Sequence, residues 1–198
     1  MSQLILASTS PYRKISLKRL GLTFDIASPK VDEISLDGEQ ALELATRLAY
    51  LKAHEVAGQL KTTNNIIIGA DQAASVDNVL LRKPGDHNKA VNQLMACQGK
   101  VVSFYTACCV IDSRSDKIHQ GVDHTKVQFL TLKKEQLERY IEIEKPMNCA
   151  GAFKAEGLGI TLFQSIKSSD PTALLGLPLI WLTNTLRKIG LDPLQPID

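Results

Sequence analysis

The segment Ile66-Ile67-Ile68-Gly69-Ala70 is an unbroken apolar run that ends on Asp71. A strand with one face in water alternates apolar and polar residues, so a run without alternation marks a strand covered on both faces. That demands helices on both sides of a sheet, and the remaining patterns supply them by alternating strand and helix along the chain. Leu4 to Ala7 reads as a first buried strand, followed by a helix from Pro11 to Leu20. Ser10 as N-cap, Pro11 at the first helical position and Gly21 beyond the last turn sign its limits. A second strand spans about Thr23 to Ala27, and a long helix runs from near Glu39 to Leu60. Beyond the central run, Ala73 to Val76 and Val79 to Leu81 flank the turn dipeptide Asp77-Asn78. A helix from His87 to Cys97 is stopped by Gly99, and two long strands, Val101 to Asp112 and Lys117 to Leu130, are joined by Ser113 to Asp116. A helix from Lys133 to Glu144 ends before Pro146, a Gly-rich loop covers Gly151 to Gly159, a strand is expected at Ile160 to Ile166, and a closing helix at Pro178 to Ile189. The expected fold class is α/β, a mixed, mostly buried sheet flanked by helices.

With 23 basic against 21 acidic residues the formal net charge is +2, and no run of like charge occurs. Proteins that hold a nucleic-acid polymer draw most of their affinity from neutralised phosphates, so near-neutrality argues against that class. Hydrophobic residues at 44% and charged residues at 22% exclude intrinsic disorder. The length of 198 residues suits one domain spanning 1–198. Cys97, Cys108, Cys109 and Cys149 form no CxxC pair and read as reduced, buried thiols. The N-terminus lacks a basic region before its apolar residues, and the longest apolar stretch, Leu174 to Leu182, is broken by Gly176 and Pro178. A soluble, cytoplasmic protein without signal peptide or membrane span is the expectation.

Three features could carry chemistry. Ser8, Thr9 and Ser10 stand at a helix start whose free N–H groups and dipole attract anions, phosphate above all, and Arg13 and Lys14 lie in the first turn. An ordinary capped helix with solvated charges is the plainer alternative. Lys52 falls on the apolar stripe of Ala41, Ala45 and Leu48, where a buried ammonium needs a partner. A ligand phosphate would serve, and so would Glu55 one turn on; periodicity does not choose between them. Asp71 ends an apolar, parallel-type strand, the place where open α/β sheets put their ligands. Asp32-Glu33 adds a second acidic pair, and Lys83-Pro84 another cation on a rigid corner. Carboxylates facing several cations suit a polyphosphate carried with Mg²⁺. Other templates fail: there is no G-x-x-x-x-G-K-[ST], G-x-G-x-x-G, HExxH or G-x-S-x-G. Ser168-Ser169 and Asp170-Pro171 read as turn chemistry.

In order and spacing, Leu4-Ile5-Leu6-Ala7-Ser8-Thr9-Ser10-Pro11-Tyr12-Arg13, Val31-Asp32-Glu33, Leu48-Ala49-Tyr50-Leu51-Lys52-Ala53, Ile68-Gly69-Ala70-Asp71-Gln72, Lys83-Pro84, Ala150 to Gly159 and Leu175-Gly176-Leu177-Pro178-Leu179 resemble the Maf-like nucleoside triphosphate pyrophosphatases over nearly the whole chain. The resemblance implies hydrolysis of a nucleoside triphosphate to the monophosphate and pyrophosphate with a divalent cation, Mg²⁺ or Mn²⁺. It also implies a fold like that of the inosine triphosphatases, with two lobes around a nucleotide cleft. On its terms Asp71 is the proton acceptor, Ser8, Arg13, Lys14, Lys52 and Lys83 contact the triphosphate, and Glu33 is a metal ligand. Lys14 stands where many members carry arginine, which keeps the charge and loses the bidentate fork.

Base preference in the family follows three positions, here Tyr12, Gln72 and Glu156. Members acting on dTTP and UTP resemble Arg, Thr and Gln there, and this chain departs from them at each. It is similar instead to the subfamily that hydrolyses 7-methyl-GTP, in which the first position is aromatic. Methylation at N7 makes guanine cationic, so an aromatic face gains cation–π as well as stacking energy, and a carboxylate accepts from its N–H donors. The expected role is removal of a modified nucleotide before it enters nucleic acid. Alternatives are the same reaction on dTTP, UTP or CTP, or a nucleotide-binding regulator of cell division with little catalysis. The expected partner is a small-molecule nucleotide, with no nucleic acid and no membrane; a homodimer is left open.

Overall fold

The computed structural model describes residues 2–60 and 64–195. Strand β1 (Gln3–Ala7) lies parallel to both β2 (Asp25–Ala27) and β3 (Asn65–Val76). From β3 onward the sheet is antiparallel: β4 (Val79–Leu81) folds back on the end of β3, and β5 (Val101–Asp112), β6 (Lys117–Phe129) and β7 (Phe163–Lys167) follow side by side. The order is β2-β1-β3-β5-β6-β7, with β4 off the path, so the sheet is mixed as expected.

The apolar run is the sheet's central strand, but it does not stop at Asp71. β3 continues through Asp71 and Gln72 to Val76, held by β5 from Ile66↔Asp112 to Ser75↔Ser103. What stops is its parallel neighbour, whose last pair is Ala7↔Gly69, and pairing on that edge resumes only at Ala74↔Leu81 with β4. Asp71 and Gln72 therefore sit mid-strand at a gap in the sheet's edge, where the chain after β1 has turned away into helix α1 (Pro11–Lys18). This corrects the strand-end placement expected from sequence.

Side-chain alternation divides β3 between two faces. Ile67 and Ala73, with Ala107 and Cys109 of β5, pack under Ala45, Ala49 and Ala53 of helix α2 (Ala41–Gln59). Ile66, Ile68 and Ala70 face the other way, toward Leu17 of α1 and Leu179, Leu182 and Leu186 of helix α5 (Leu179–Lys188). Further along that second face, Ala74, Phe104, Val127 and Phe129 are covered by Val91 and Leu94 of helix α3 (His87–Cys97) and Leu137 and Ile141 of helix α4 (Lys134–Glu144). Two packing clusters on one face leave a cleft between them, which gives the two lobes.

α2 sits directly on β3 at Gly69, where an added Cβ would lie 2.3 Å from the Ala49 carbonyl oxygen and 2.6 Å from the Ala53 nitrogen. Only glycine allows backbone to meet backbone this closely. The helix begins at Ala41, after Gln40, whose backbone N–H donates to Glu43 at 2.9 Å. The expected strand at Ile160 to Ile166 is corrected: Leu158–Leu162 is a 3-10 turn with Ile160 exposed, and β7 starts at Phe163. The hydrogen bond from Leu130 N–H to the Leu162 carbonyl precedes the ladder, which is irregular at Gln128 and Phe129.

The cysteines are free thiols, three of them buried, and burial pushes Cys97 and Cys109 up to about 12. Cys149 is the exception, half-buried at the cleft. Among the described residues no helix is long and apolar enough to cross a membrane.

Candidate active site

The cleft has a volume of about 500 Å³ and opens at the gap beside β3. Its floor is the loop from β1 into α1. Ser8, almost fully buried, accepts the Ser10 N–H at 3.1 Å, and Ser10 caps the helix by accepting the Arg13 N–H at 3.4 Å. The helix thus points its positive end into the cleft.

Arg13 extends from the first turn toward β3. Its Nε donates to the Gly176 carbonyl at 3.1 Å, and its Nη2 lies 3.6 Å from Asp71 Oδ1. Lys52 arrives from the opposite face, because the contact at Gly69 brings α2 against the strand two residues before Asp71. Its Nζ donates to Asp71 Oδ1 at 2.6 Å and lies 2.5 Å from Glu33 Oε1, with only 5% of the side chain exposed. Lys83 Nζ stands 3.6 Å from the other Glu33 oxygen. Burial alone would raise the Glu33 carboxyl; the Lys52 hydrogen bond and charge, with Lys83 and Arg13, outweigh it and hold it below its ordinary value.

Of the two partners the helix pattern left open, the structure excludes one. Lys52 does not pair with Glu55, which accepts from the Lys30 N–H at 3.0 Å and from the Gln59 amide. The partners of Lys52, Asp71 and Glu33, come from other parts of the chain.

Gln72, next to Asp71 but on the other face, turns its amide to the segment before α5. Nε2 donates to Thr106 Oγ1 at 2.8 Å and to the Ala173 and Leu174 carbonyls at 3.1 and 3.2 Å. Nε2 is committed to the protein, so Oε1 is the end that can accept from a ligand. The cleft is lined as well by Tyr12, Phe104, Phe153 and Glu156. Burial, then the neighbouring Cys149 and Glu156, raise the Tyr12 hydroxyl above its ordinary value, Glu156 also through a hydrogen bond. Glu156 is carried on a loop pinned by Glu144, which accepts the Leu158 N–H at 2.9 Å, and by the Tyr140 hydroxyl, which accepts the Lys154 N–H at 3.0 Å.

Of the residues expected from sequence, Ser8, Tyr12, Arg13, Glu33, Lys52, Asp71, Gln72, Lys83 and Glu156 line this one cleft. Lys14 does not line it. One residue on from Arg13 is about 100° around the helix, which turns Lys14 out to an exposed groove beside Lys18, Phe24 and Ile26. Sequence reasoning missed the Gly176 carbonyl and Thr106. The first had a local signal, since Gly176 takes a φ of +98° that favours glycine. The second had none, because its part comes from the register Gln72↔Thr106.

Among the described residues no group of three or more His, Cys, Asp or Glu side chains could hold a metal by itself. Asp71 and Glu33 nevertheless converge on one ammonium. Two carboxylates fit a Mg²⁺-type ion that takes the rest of its oxygens from phosphate and water.

A cleft floored by a helix N-terminus and lined by three cations, three carboxylates and aromatic rings defines an α/β protein with a site suited to a phosphorylated small molecule. Sequence comparison gives the family: the profile of the Maf-like proteins matches residues 3–189, and the chain belongs to that family. It is 46% identical over 196 residues to a protein of Saccharophagus degradans named 7-methyl-GTP pyrophosphatase, covering 99% of this chain and 97% of that one. Proteins of the same name from Idiomarina loihiensis and Pseudoalteromonas atlantica are 44% and 46% identical, covering 97% and 96% of this chain and 97% and 96% of their own. Among solved structures, the Ham1 protein of Staphylococcus aureus overlaps 64% of this chain and 71% of its own, with a TM-score of 0.46 and 14% identity.

Proposed function

We propose that the protein is a nucleoside triphosphate pyrophosphatase that hydrolyses 7-methyl-GTP to 7-methyl-GMP and pyrophosphate. The observation that carries this reading is the array Arg13, Asp71, Lys52 and Glu33 at the start of α1, in one cleft with Tyr12 and Glu156. The names and identities of the relatives support it.

Arg13 and Lys52 both turn to one oxygen of Asp71. A triphosphate entering over the helix N-terminus competes for those cations and for Lys83. Drawn to the phosphates, they offset the charge that develops during hydrolysis. Asp71 Oδ1, relieved of them, orients a water and accepts its proton. Glu33, with Asp71 beside it, would hold a divalent cation, which when bound neutralises charge on the phosphate oxygens. The leaving pyrophosphate stays against Arg13, Lys52 and Lys83 until it is released.

Base choice falls to Tyr12, Gln72 and Glu156. Guanine methylated at N7 carries positive charge, so the face of Tyr12 attracts it by cation–π contact and stacking. The Glu156 carboxylate and Gln72 Oε1 are acceptors for the N1–H and exocyclic amine of the purine. Uracil and thymine offer a single N–H between two carbonyls on that edge, and cytosine only its exocyclic amine, so a pyrimidine leaves one acceptor unanswered. The role that follows is clearance of a modified nucleotide from the cytoplasmic pool before it enters nucleic acid.

Incubation with 7-methyl-GTP and Mg²⁺, with products separated by ion exchange, tests this reading. Monophosphate with pyrophosphate is expected; diphosphate with orthophosphate, or no turnover, would rule it out.

A further inference from the structure

The run Ser168-Ser169-Asp170-Pro171 has the composition of a simple turn, but its hydrogen bonds tie down the segment that borders the site. Asp123 on β6 and Asp170 are 5% and 3% exposed. Asp123 Oδ1 accepts from the Thr125 and Ser168 hydroxyls, both at 2.9 Å, and Oδ2 from the Ser169 hydroxyl at 2.5 Å and the Asp170 N–H at 3.1 Å. Asp170 in turn accepts the Thr172 N–H at 2.9 Å, the Thr172 hydroxyl at 2.6 Å and the Ile180 N–H at 2.6 Å. Pro178, the N-cap of α5, makes no side-chain cap, so Asp170 and Thr172 satisfy the helix start, with Thr172 Oγ1 accepting the Leu179 N–H at 2.9 Å.

The strap closed in this way, residues 170–180, carries the carbonyls that hold the cleft's side chains. Ala173 O accepts from Thr106 Oγ1 at 2.9 Å and from Gln72, Leu174 O from Gln72, and Gly176 O from Arg13. Two buried carboxylates whose partners are hydroxyls and backbone N–H groups are a costly way to anchor a loop, since each loses its hydration without gaining a cation among the described residues. Apolar packing would fasten the strap at least as well. What a saturated acceptor cluster adds is a single fixed geometry.

We propose that Asp123 and Asp170 are positioning residues for catalysis. Through the strap they set the Arg13 guanidinium against Asp71 and fix Gln72 with Oε1 toward the base. The proposal rests on the reading of the cleft as a triphosphate hydrolase, and places part of its base discrimination in residues that touch no substrate.

The test measures kcat and KM for 7-methyl-GTP and for GTP, per folded molecule, in wild type and in Asp170→Ala, Asp170→Asn, Asp123→Asn and Thr106→Val. A displacement of about 1 Å at a reacting group costs on the order of 100-fold, so Asp170→Ala should lose about that factor in kcat/KM. Asp170→Asn, which keeps the shape and one acceptor, should recover part of the loss. Thr106→Val leaves the strap's anchors in place but removes the hydroxyl shared by Gln72 and Ala173, and should shrink the 7-methyl-GTP to GTP ratio. This variant and the asparagine variants carry the test if Asp170→Ala does not fold. Variants with lowered melting temperature but wild-type kcat, KM and base ratio would overturn the proposal while leaving the cleft's function standing. A wild-type protein without turnover would instead remove the functional reading, and this proposal with it.

Discussion

Replacing Lys52 by methionine removes one ammonium and keeps most of the volume. In the folded protein that ammonium touches two carboxylates, Asp71 with 11% and Glu33 with 48% of its side chain exposed. Deleting one partner of a fully buried ion pair costs about 3–5 kcal/mol. Glu33 is half in water and Arg13 remains 3.6 Å from Asp71, so a loss of about 2 kcal/mol is the expected size. For a chain of this length that lowers the melting temperature by about 4–8 °C. The loss should depend on pH in a defined direction. Lys52 helps hold the Glu33 carboxyl below its ordinary value against the opposing effect of burial. A lowered carboxyl stabilises the fold above its unfolded value and loses that contribution as pH falls through the lowered one. Without Lys52, burial keeps acting on Glu33 and the stabilisation is gone. The difference between variant and wild type should therefore be largest near neutrality and narrow below about pH 4. Urea unfolding at a series of pH values measures it. Turnover of the variant should fall about 100- to 1,000-fold, the scale of losing one charge-stabilising group. Equal midpoints at pH 7 together with wild-type turnover would refute the reasoning.

Asp71→Asn should abolish hydrolysis while 7-methyl-GTP still binds, as read by calorimetry; wild-type turnover would remove Asp71 as the base. Gly69→Ala drives a methyl group into the backbone of α2, 2.3 Å from the Ala49 carbonyl. It should destabilise the protein by about 1–3 kcal/mol, as overpacked cores do, and reduce turnover by moving Lys52, both visible in thermal melts and steady-state assays. Lys14→Ala should leave kcat and KM unchanged because the side chain lies outside the cleft; a raised KM would return Lys14 to the phosphate site.

Local signals were enough to place most elements. Ser10, Pro11 and the apolar run define α1 and β3 without tertiary information. Lys52 was legible as a misfit on an apolar stripe, which pointed to a partner but not to which one, since Asp71 and Glu33 are 19 residues away on either side and Glu55 is three. Asp71 was legible as a residue at a boundary. That the boundary belongs to β1 and not to β3 depends on register, which no local pattern encodes. Arg13 and Lys14 look like one feature in sequence and face two directions on the helix. The strap before α5 was hidden for a related reason: Asp123 and Ser168 are 45 residues apart, and each alone has the look of ordinary polar surface.

The most direct test of the account is a single set of kcat/KM values, with Mg²⁺, for 7-methyl-GTP, GTP, dTTP, UTP and CTP on one preparation. The Tyr12 and Glu156 wall predicts 7-methyl-GTP first, by about tenfold or more over GTP, the size of one desolvated cation–π contact, with the pyrimidines lower still. A pyrimidine in first place, or plain GTP equal to its methylated form, would contradict it.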